Sequence, residues 1–175
     1  MSNITLEDLK TRRSIRKYQS DEMPPEELIH QVVEAGTYAP TGMGMQSPII
    51  IAVTNKATRD LLSKLNANVM GTTSDPFYGA PVVLIVLADR NRPTYLYDGS
   101  LVMGNLLNAA HAVGLGSCWI HRAKEVFDSA EGQSLLKEWG IEGNYEGIGH
   151  CILGYPSTNI PIAKPRKLDY VHYIK

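Results

Sequence analysis

The amino-acid sequence predicts an α+β fold on three observations. Helical and strand-like patterns alternate along the 175 residues, with no repeat, low-complexity tract or dividing linker. Residues 81–88 are apolar throughout, the mark of a strand covered on both faces. Residues 98–113 are apolar nearly all the way round a helical period, the mark of a helix set inside a core or a subunit interface. One domain over residues 1–175 is the economical reading. A chain near this length buries roughly 68–70% of its unfolded surface.

Taken in order, Thr5 is the expected N-cap of a short first helix, with Asp8 three residues on and Leu6 and Leu9 turned inward. Pro24 and Pro25 open a second helix, where proline is tolerated in the first turn. Leu28, Ile29, Val32 and Val33 recur at helical spacing, and Gly36 ends the run. Residues 39–47 contain two glycines and no period, and read as a loop. Residues 48–54 read as a buried strand, and residues 58–69 as an amphipathic helix with Leu61, Leu62 and Leu65 inward. The polar loop 71–79 leads into the apolar strand 81–88. The long helix 98–113 is followed by a short strand at 117–120, two modest helical pieces within 124–139, and a final strand at 146–153. The tail, 157–175, holds Tyr170, Val171, Tyr173 and Ile174 with nothing local to bury them, so it is expected to reach over another subunit.

Charge narrows the function. The formal net charge is -1, from 17 basic and 18 acidic residues, which disfavours a general polyanion binder. Yet Lys10, Arg12, Arg13, Arg16 and Lys17 crowd one segment without an intervening acid. A nearly neutral chain with one basic segment points to a small anionic ligand. Arginine forks match phosphate oxygens two at a time, and Ser14 adds a hydroxyl donor. The alternative is a solvated helix end, where cations favour the dipole. A second basic cluster, Lys164, Arg166 and Lys167, lies in the tail.

The loop at 39–47 offers glycines that let backbone approach a flat ligand, and Gln46 carries an amide that both donates and accepts. No dinucleotide or phosphate-loop glycine motif, no metalloprotease histidine pair and no nucleophile elbow is present. Cys118 and Cys151 stand far apart and are expected to be buried core thiols, with no metal site. Among the five histidines, His121 stands out because it ends the strand after Trp119 and Ile120. A binding site without acid–base machinery suits an organic cofactor that brings its own reactivity. The first ten residues lack an apolar signal core, and no run is long enough to cross a bilayer, so a cytoplasmic location is expected.

The order of these pieces resembles the nitroreductase family of FMN-dependent oxidoreductases, particularly its short members. The resemblance rests on residues 12–18, 39–48, 79–81, 105–110, 114–119 and 153–156, closed by Lys164, Pro165 and Arg166. It implies a three-layer α-β-α fold, with a central, mostly antiparallel sheet and a C-terminal extension exchanged with a dimer partner. It further implies a homodimer with FMN at the interface, each site built from both chains. By position, Arg12, Arg13 and Ser14 with Lys164 and Arg166 match the phosphate grip. Arg16 matches a cation at the pyrimidine edge of the ring, an electrostatic support for the reduced flavin. Pro40, Thr41, Gly42 and Gln46 match the partner chain's contribution around the ring. Trp119, Ile120 and His121 match the strand end that packs behind the ring and offers backbone donors toward N5. Many relatives carry Asn and Arg where this chain has Gly44 and Met45. Longer relatives also roof the pocket with a helical insertion, which the loop 68–77 replaces here.

The activity implied is an oxidoreductase that passes hydride from NADH or NADPH through flavin N5 to a nitroaromatic, quinone or enone acceptor, by a ping-pong mechanism. No side chain is required as nucleophile. Specialised flavin chemistry on the same fold, such as reductive dehalogenation or flavin breakdown, stays open. So does a non-catalytic flavin-binding or storage module. A nucleic-acid binder acting through residues 10–17 is least favoured by the charge.

Overall fold

Four antiparallel strands form the centre of the computed structural model, which describes residues 3–175. They are β1 (Pro48–Val53), β2 (Val82–Asp89), β3 (Gly116–Ile120) and β4 (Tyr145–Gly154), ordered β1-β2-β4-β3. Six α-helices accompany them: α1 (Ile4–Thr11), α2 (Glu26–Thr37), α3 (Lys56–Met70), α4 (Tyr95–Ala112), α5 (Ala123–Asp128) and α6 (Ala130–Glu138).

The period-two alternation of β2 assigns the two faces of the sheet. Val82, Leu84, Val86 and Ala88 pack with Ile29 and Val32 of α2 and with Val102, Met103 and Leu106 of α4. Val83, Ile85 and Leu87 pack on the other face with Leu62 of α3, Val126 and Phe127 of α5, and Leu135 and Leu136 of α6. The result is the expected three-layer arrangement. β2 is apolar at both parities because both faces are covered. Both cysteines are buried free thiols, as expected.

Local chemistry differs from the sequence expectation at several places. Asn3, not Thr5, caps α1, its side chain accepting from the Leu6 N–H. Leu6 and Leu9 are about half exposed rather than inward, because α1 projects no residue into the core. α2 runs one residue past Gly36, since a helical glycine there is demanded by packing: a Cβ would lie 2.6 Å from Leu106. β1 is half-buried instead of buried, because it is an edge strand. Leu61 is exposed on α3, and Leu101 on α4. α4 starts three residues before Asp98, whose carboxylate accepts from Thr94 Oγ1 one turn back.

The first basic segment is where the fold meets the sequence motif. α1 ends at Thr11 with Lys10 in its last turn and Arg12 as its C-cap, so the helix-end reading holds for the first part of the segment, and the chain then bridges to β3 from Ser14. Ile15 N–H donates to the Ser117 carbonyl at 2.9 Å, and Ser14 bridges Ser117 in parallel. Tyr18 is buried and its hydroxyl donates to the Ile15 carbonyl at 2.8 Å. Two glycines make the seat: a Cβ on Gly116 would meet Ile15 at 3.0 Å, and one on Gly154 would meet Tyr18 at 3.0 Å.

His150 is a fully buried polar residue on β4, stacked near Phe77 and Phe127 with ring centroids 5.2 and 6.1 Å away. Burial, aided by the nearby Arg122 charge, lowers its pKa to about 4 and keeps the ring neutral. The unfolded chain takes up a proton below the ordinary histidine value while the folded chain does not. This contribution to stability is therefore complete above that value and declines as pH falls toward 4. The loss is expected to reach roughly 3 kcal/mol, read from urea unfolding midpoints. His150→Phe should flatten that part of the profile, and an equally steep profile in the variant would contradict the assignment.

Candidate functional site

The end of β3 opens onto a cavity of about 230 Å³ lined by Arg16, Tyr78, Trp119, Ile120, His121 and Arg122 among others. Four residues singled out from the sequence thus share one wall: Arg16, Trp119, Ile120 and His121. The end of α3 and the loop after it line the same cavity through Met70, Ser74, Asp75 and Pro76, so the stretch 68–77 borders the site.

Asp75 holds that loop in shape. Its carboxylate accepts from the Phe77 N–H at 2.9 Å and the Gly79 N–H at 2.7 Å, and also from Ser63 Oγ and Arg59 Nη2. Burial alone would raise its pKa, but these bonds outweigh burial and hold the carboxyl below its usual range. Arg59, itself buried, also donates from Nε to the Ala80 carbonyl at 2.9 Å, tying α3 to the start of β2.

The opposite turn, His121–Arg122, hangs on Asn66. This α3 residue is fully buried. It donates from Nδ2 to the His121 carbonyl at 2.8 Å and accepts from Arg122 Nε at 3.0 Å. Arg122 sits in the left-handed region at φ 73, uncommon for a side chain with a Cβ. Trp119 reaches its position because Gly149, across on β4, has no side chain: a Cβ there would lie 2.3 Å from the indole nitrogen. Neither Asn66 nor Gly149 is visible from sequence as a site residue. An asparagine inside a predicted helix is the only hint, since that residue is poor there unless its amide is used.

The basic segment lies on the neighbouring stretch of chain. Arg12 is half-buried and its Nη1 is buried without a partner among the described residues. An ionised donor in that condition calls for an acceptor, and an anion serves best. Arg13 instead folds onto its own backbone, donating from Nη1 to the Lys10 carbonyl at 2.7 Å and the Arg12 carbonyl at 2.6 Å. Its Nε is likewise buried without a partner among the described residues. Ser14 is held by its bridge to Ser117.

The remaining sequence-derived residues stand elsewhere in this chain. Thr41 and Gln46 line a separate, more apolar cavity of about 310 Å³ against Pro48, Ile49 and Val102, which shares no residue with the Arg16 cavity. Pro40 is exposed beside them, and Gly42 begins a short 3₁₀ turn, Gly42–Gly44. Buried Asp98 anchors the loop, accepting from the Gly42 N–H at 2.9 Å and Ser47 Oγ at 2.7 Å. Met43 and Gln46 have φ of 53 and 48, so the loop is held in a conformation its side chains do not favour. Lys164 and Arg166 lie on the exposed tail, where Arg166 donates to the Lys164 carbonyl at 2.6 Å. The single chain therefore joins Arg16 to Trp119, Ile120 and His121, and keeps Pro40, Thr41, Gly42 and Gln46, and also Lys164 and Arg166, apart from them.

The chain is thus a three-layer α-β-α unit with a basic segment bridged to the sheet and a cavity at the end of β3. The chain belongs to the nitroreductase family, whose sequence model matches residues 9–155. A Methanothermobacter thermautotrophicus protein with the provisional name NADH dehydrogenase/NAD(P)H nitroreductase is 33% identical over 159 residues, covering 88% of this chain and 78% of that protein. A nitroreductase from Bacteroides fragilis, crystallised with bound FMN, superposes with a TM-score of 0.90 at 26% identity, over 99% of this chain and 100% of the other. A second FMN-bound nitroreductase, from Desulfitobacterium hafniense, gives 0.88 at 26% identity over the full length of both chains.

Asn66→Ala removes one neutral and one charge-assisted hydrogen bond at the turn. It should cost about 2–3 kcal/mol in urea unfolding. A variant as stable as the parent would mean that the asparagine does not hold His121 and Arg122.

Proposed function

We propose that this protein is an FMN-dependent NAD(P)H oxidoreductase that reduces a nitroaromatic, quinone or enone acceptor. The reading is carried by the unpartnered, buried Arg12 Nη1 and, four residues along the same segment, by Arg16 in a cavity it shares with the Trp119–His121 strand end. Family membership and the FMN-bound neighbours support the choice of cofactor. When bound, FMN supplies reversible two-electron chemistry between a reduced pyridine nucleotide and an acceptor.

The chain's own part is binding, orientation and charge. Arg12, Arg13 and Ser14 hold the phosphate, with Lys164 and Arg166 completing the grip. Arg16 supplies fixed positive charge at the pyrimidine edge, where negative charge gathers on reduction. Trp119, Ile120 and His121 back the ring and present main-chain donors. Pro40, Thr41, Gly42 and Gln46 come from a second copy of the chain. Within one chain Thr41 and Gln46 line a different cavity from Arg16, which suits a site shared between two protomers. The exposed faces fit such a pairing: Leu96, Tyr97 and Leu101 on α4, and Ile162, Leu168, Tyr170, Tyr173 and Ile174 on the tail, all lie open. The site needs no nucleophile, and none is required of any residue lining it. Donor and acceptor would use one cavity in turn, which is ping-pong order.

The purified protein should be yellow or should become so with added FMN, and should oxidise NADH or NADPH with a quinone. A colourless protein that FMN does not restore would sink the reading. Arg12→Ala and Arg166→Ala should each weaken FMN binding by about 1.5–3 kcal/mol, measured by fluorescence titration. Parental affinity in both variants would refute the phosphate assignment.

A further inference from the structure

We propose that Arg122 is the specificity-determining residue of this site, binding a carboxylate or phosphate oxygen on the small molecule that reacts there. This inference rests on the oxidoreductase reading and adds to it a charge class for the substrate. The anion belongs either to the electron acceptor, as a carboxylate, or to the pyridine nucleotide, as the 2′-phosphate that distinguishes NADPH from NADH.

The observations are these. Arg122 lines the same cavity as Arg16, at the strand end. Its backbone is held at φ 73 and its Nε is spent on Asn66 Oδ1, which fixes where the guanidinium begins. Among the described residues, the two Nη groups make no hydrogen bond or ion pair. A guanidinium tethered through Nε keeps its terminal pair of donors free for one two-pronged partner, and a carboxylate or phosphate fits that fork. Among the described residues, the one carboxylate lining the cavity, Asp75, is already engaged by Arg59, Ser63 and the Phe77 and Gly79 amides. The cavity therefore keeps two cations and no acid free to neutralise them. With Arg16 given to the flavin, the second positive charge is left for the reactant. Other cations near this end of the sheet do not compete. Arg90 is paired with Asp128 and Glu146, Lys64 lines a neighbouring cleft instead, and Arg92 is exposed and does not line the cavity.

The test uses the FMN-loaded protein and two matched pairs of ligands: 4-nitrobenzoate against 4-nitrobenzyl alcohol, and NADP+ against NAD+. Each is titrated into the oxidised holoenzyme, and dissociation constants are read from the perturbed flavin absorbance. Arg122→Gln should lose affinity for the charged member of one pair by about tenfold or more, and hold the neutral or less charged member within about twofold. A split in the nitro pair assigns the anion to the acceptor; a split in the nucleotide pair assigns it to the donor. Arg122→Asn, which tolerates the left-handed backbone better, guards against misfolding and should give the same split. Arg122→Lys, which keeps the charge but loses the fork, should fall between. Equal changes across both pairs would overturn the inference, as would release of FMN in step with the lost affinity, because Arg122 would then be a cofactor ligand. A parent protein that holds no FMN would overturn the oxidoreductase reading and this inference together. A yellow parent indifferent to replacement of Arg122 would overturn this inference alone.

Discussion

The pairing of residues 14–18 with the end of the sheet is the constraint from which the site follows. One main-chain bond, Ile15 N–H to the Ser117 carbonyl, sets the extended segment beside β3. Glycines at 116 and 154 leave room for Ile15 and Tyr18 to seat. Gln19 N–H to the Tyr155 carbonyl and Ser157 N–H to the Lys17 carbonyl continue the attachment along the chain. A free basic segment would be screened and mobile. Attached in this way, it delivers Arg16 to the cavity and leaves one Arg12 nitrogen buried and waiting for an acceptor.

The second wall of the cavity is fixed by polar groups that are individually expensive to bury. Asp75 gathers the loop after α3, and Asn66 holds the turn after β3. Both act through α3, which thereby sets the width of the opening between loop and turn. His150 sits behind Asn66, with 3.5 Å between Asn66 Nδ2 and His150 Nδ1, and stays neutral by burial. The chemistry proposed for the cavity thus depends on a layer of neutral or satisfied polar groups, while Arg12, Arg13, Arg16 and Arg122 keep donors without a partner among the described residues. Such segregation suits an electron-carrying cofactor.

Much of this was legible in the sequence. The unbroken apolar run of β2 and the alternation of helices and strands give the three layers, because periodicity records burial directly. Arg16 and the Trp119–His121 strand end, both read from the sequence, share one wall of the cavity. Other features were not legible, for physical reasons. Leu6 and Leu9 have helical spacing, but a two-turn helix at the margin has no obligation to bury its apolar side. Leu61 fails likewise, since α3 packs on the core through Leu62 and Leu65 and leaves Leu61 exposed. β1 has the composition of a buried strand and becomes an edge strand through topology, which composition does not encode. Asn66 and Arg122 matter through a bond between residues 56 positions apart, and Gly149 matters through the indole of Trp119. Pairings of that kind appear only when the chain is folded.

The most direct test of the central claim is a crystal structure of the protein with FMN bound. The account predicts density for the FMN phosphate within hydrogen-bond reach of Arg12 Nη1, and for the ring against Trp119, Ile120 and His121 with Arg16 at its edge. Flavin bound elsewhere on the chain, with Arg12 Nη1 still unpartnered, would contradict it.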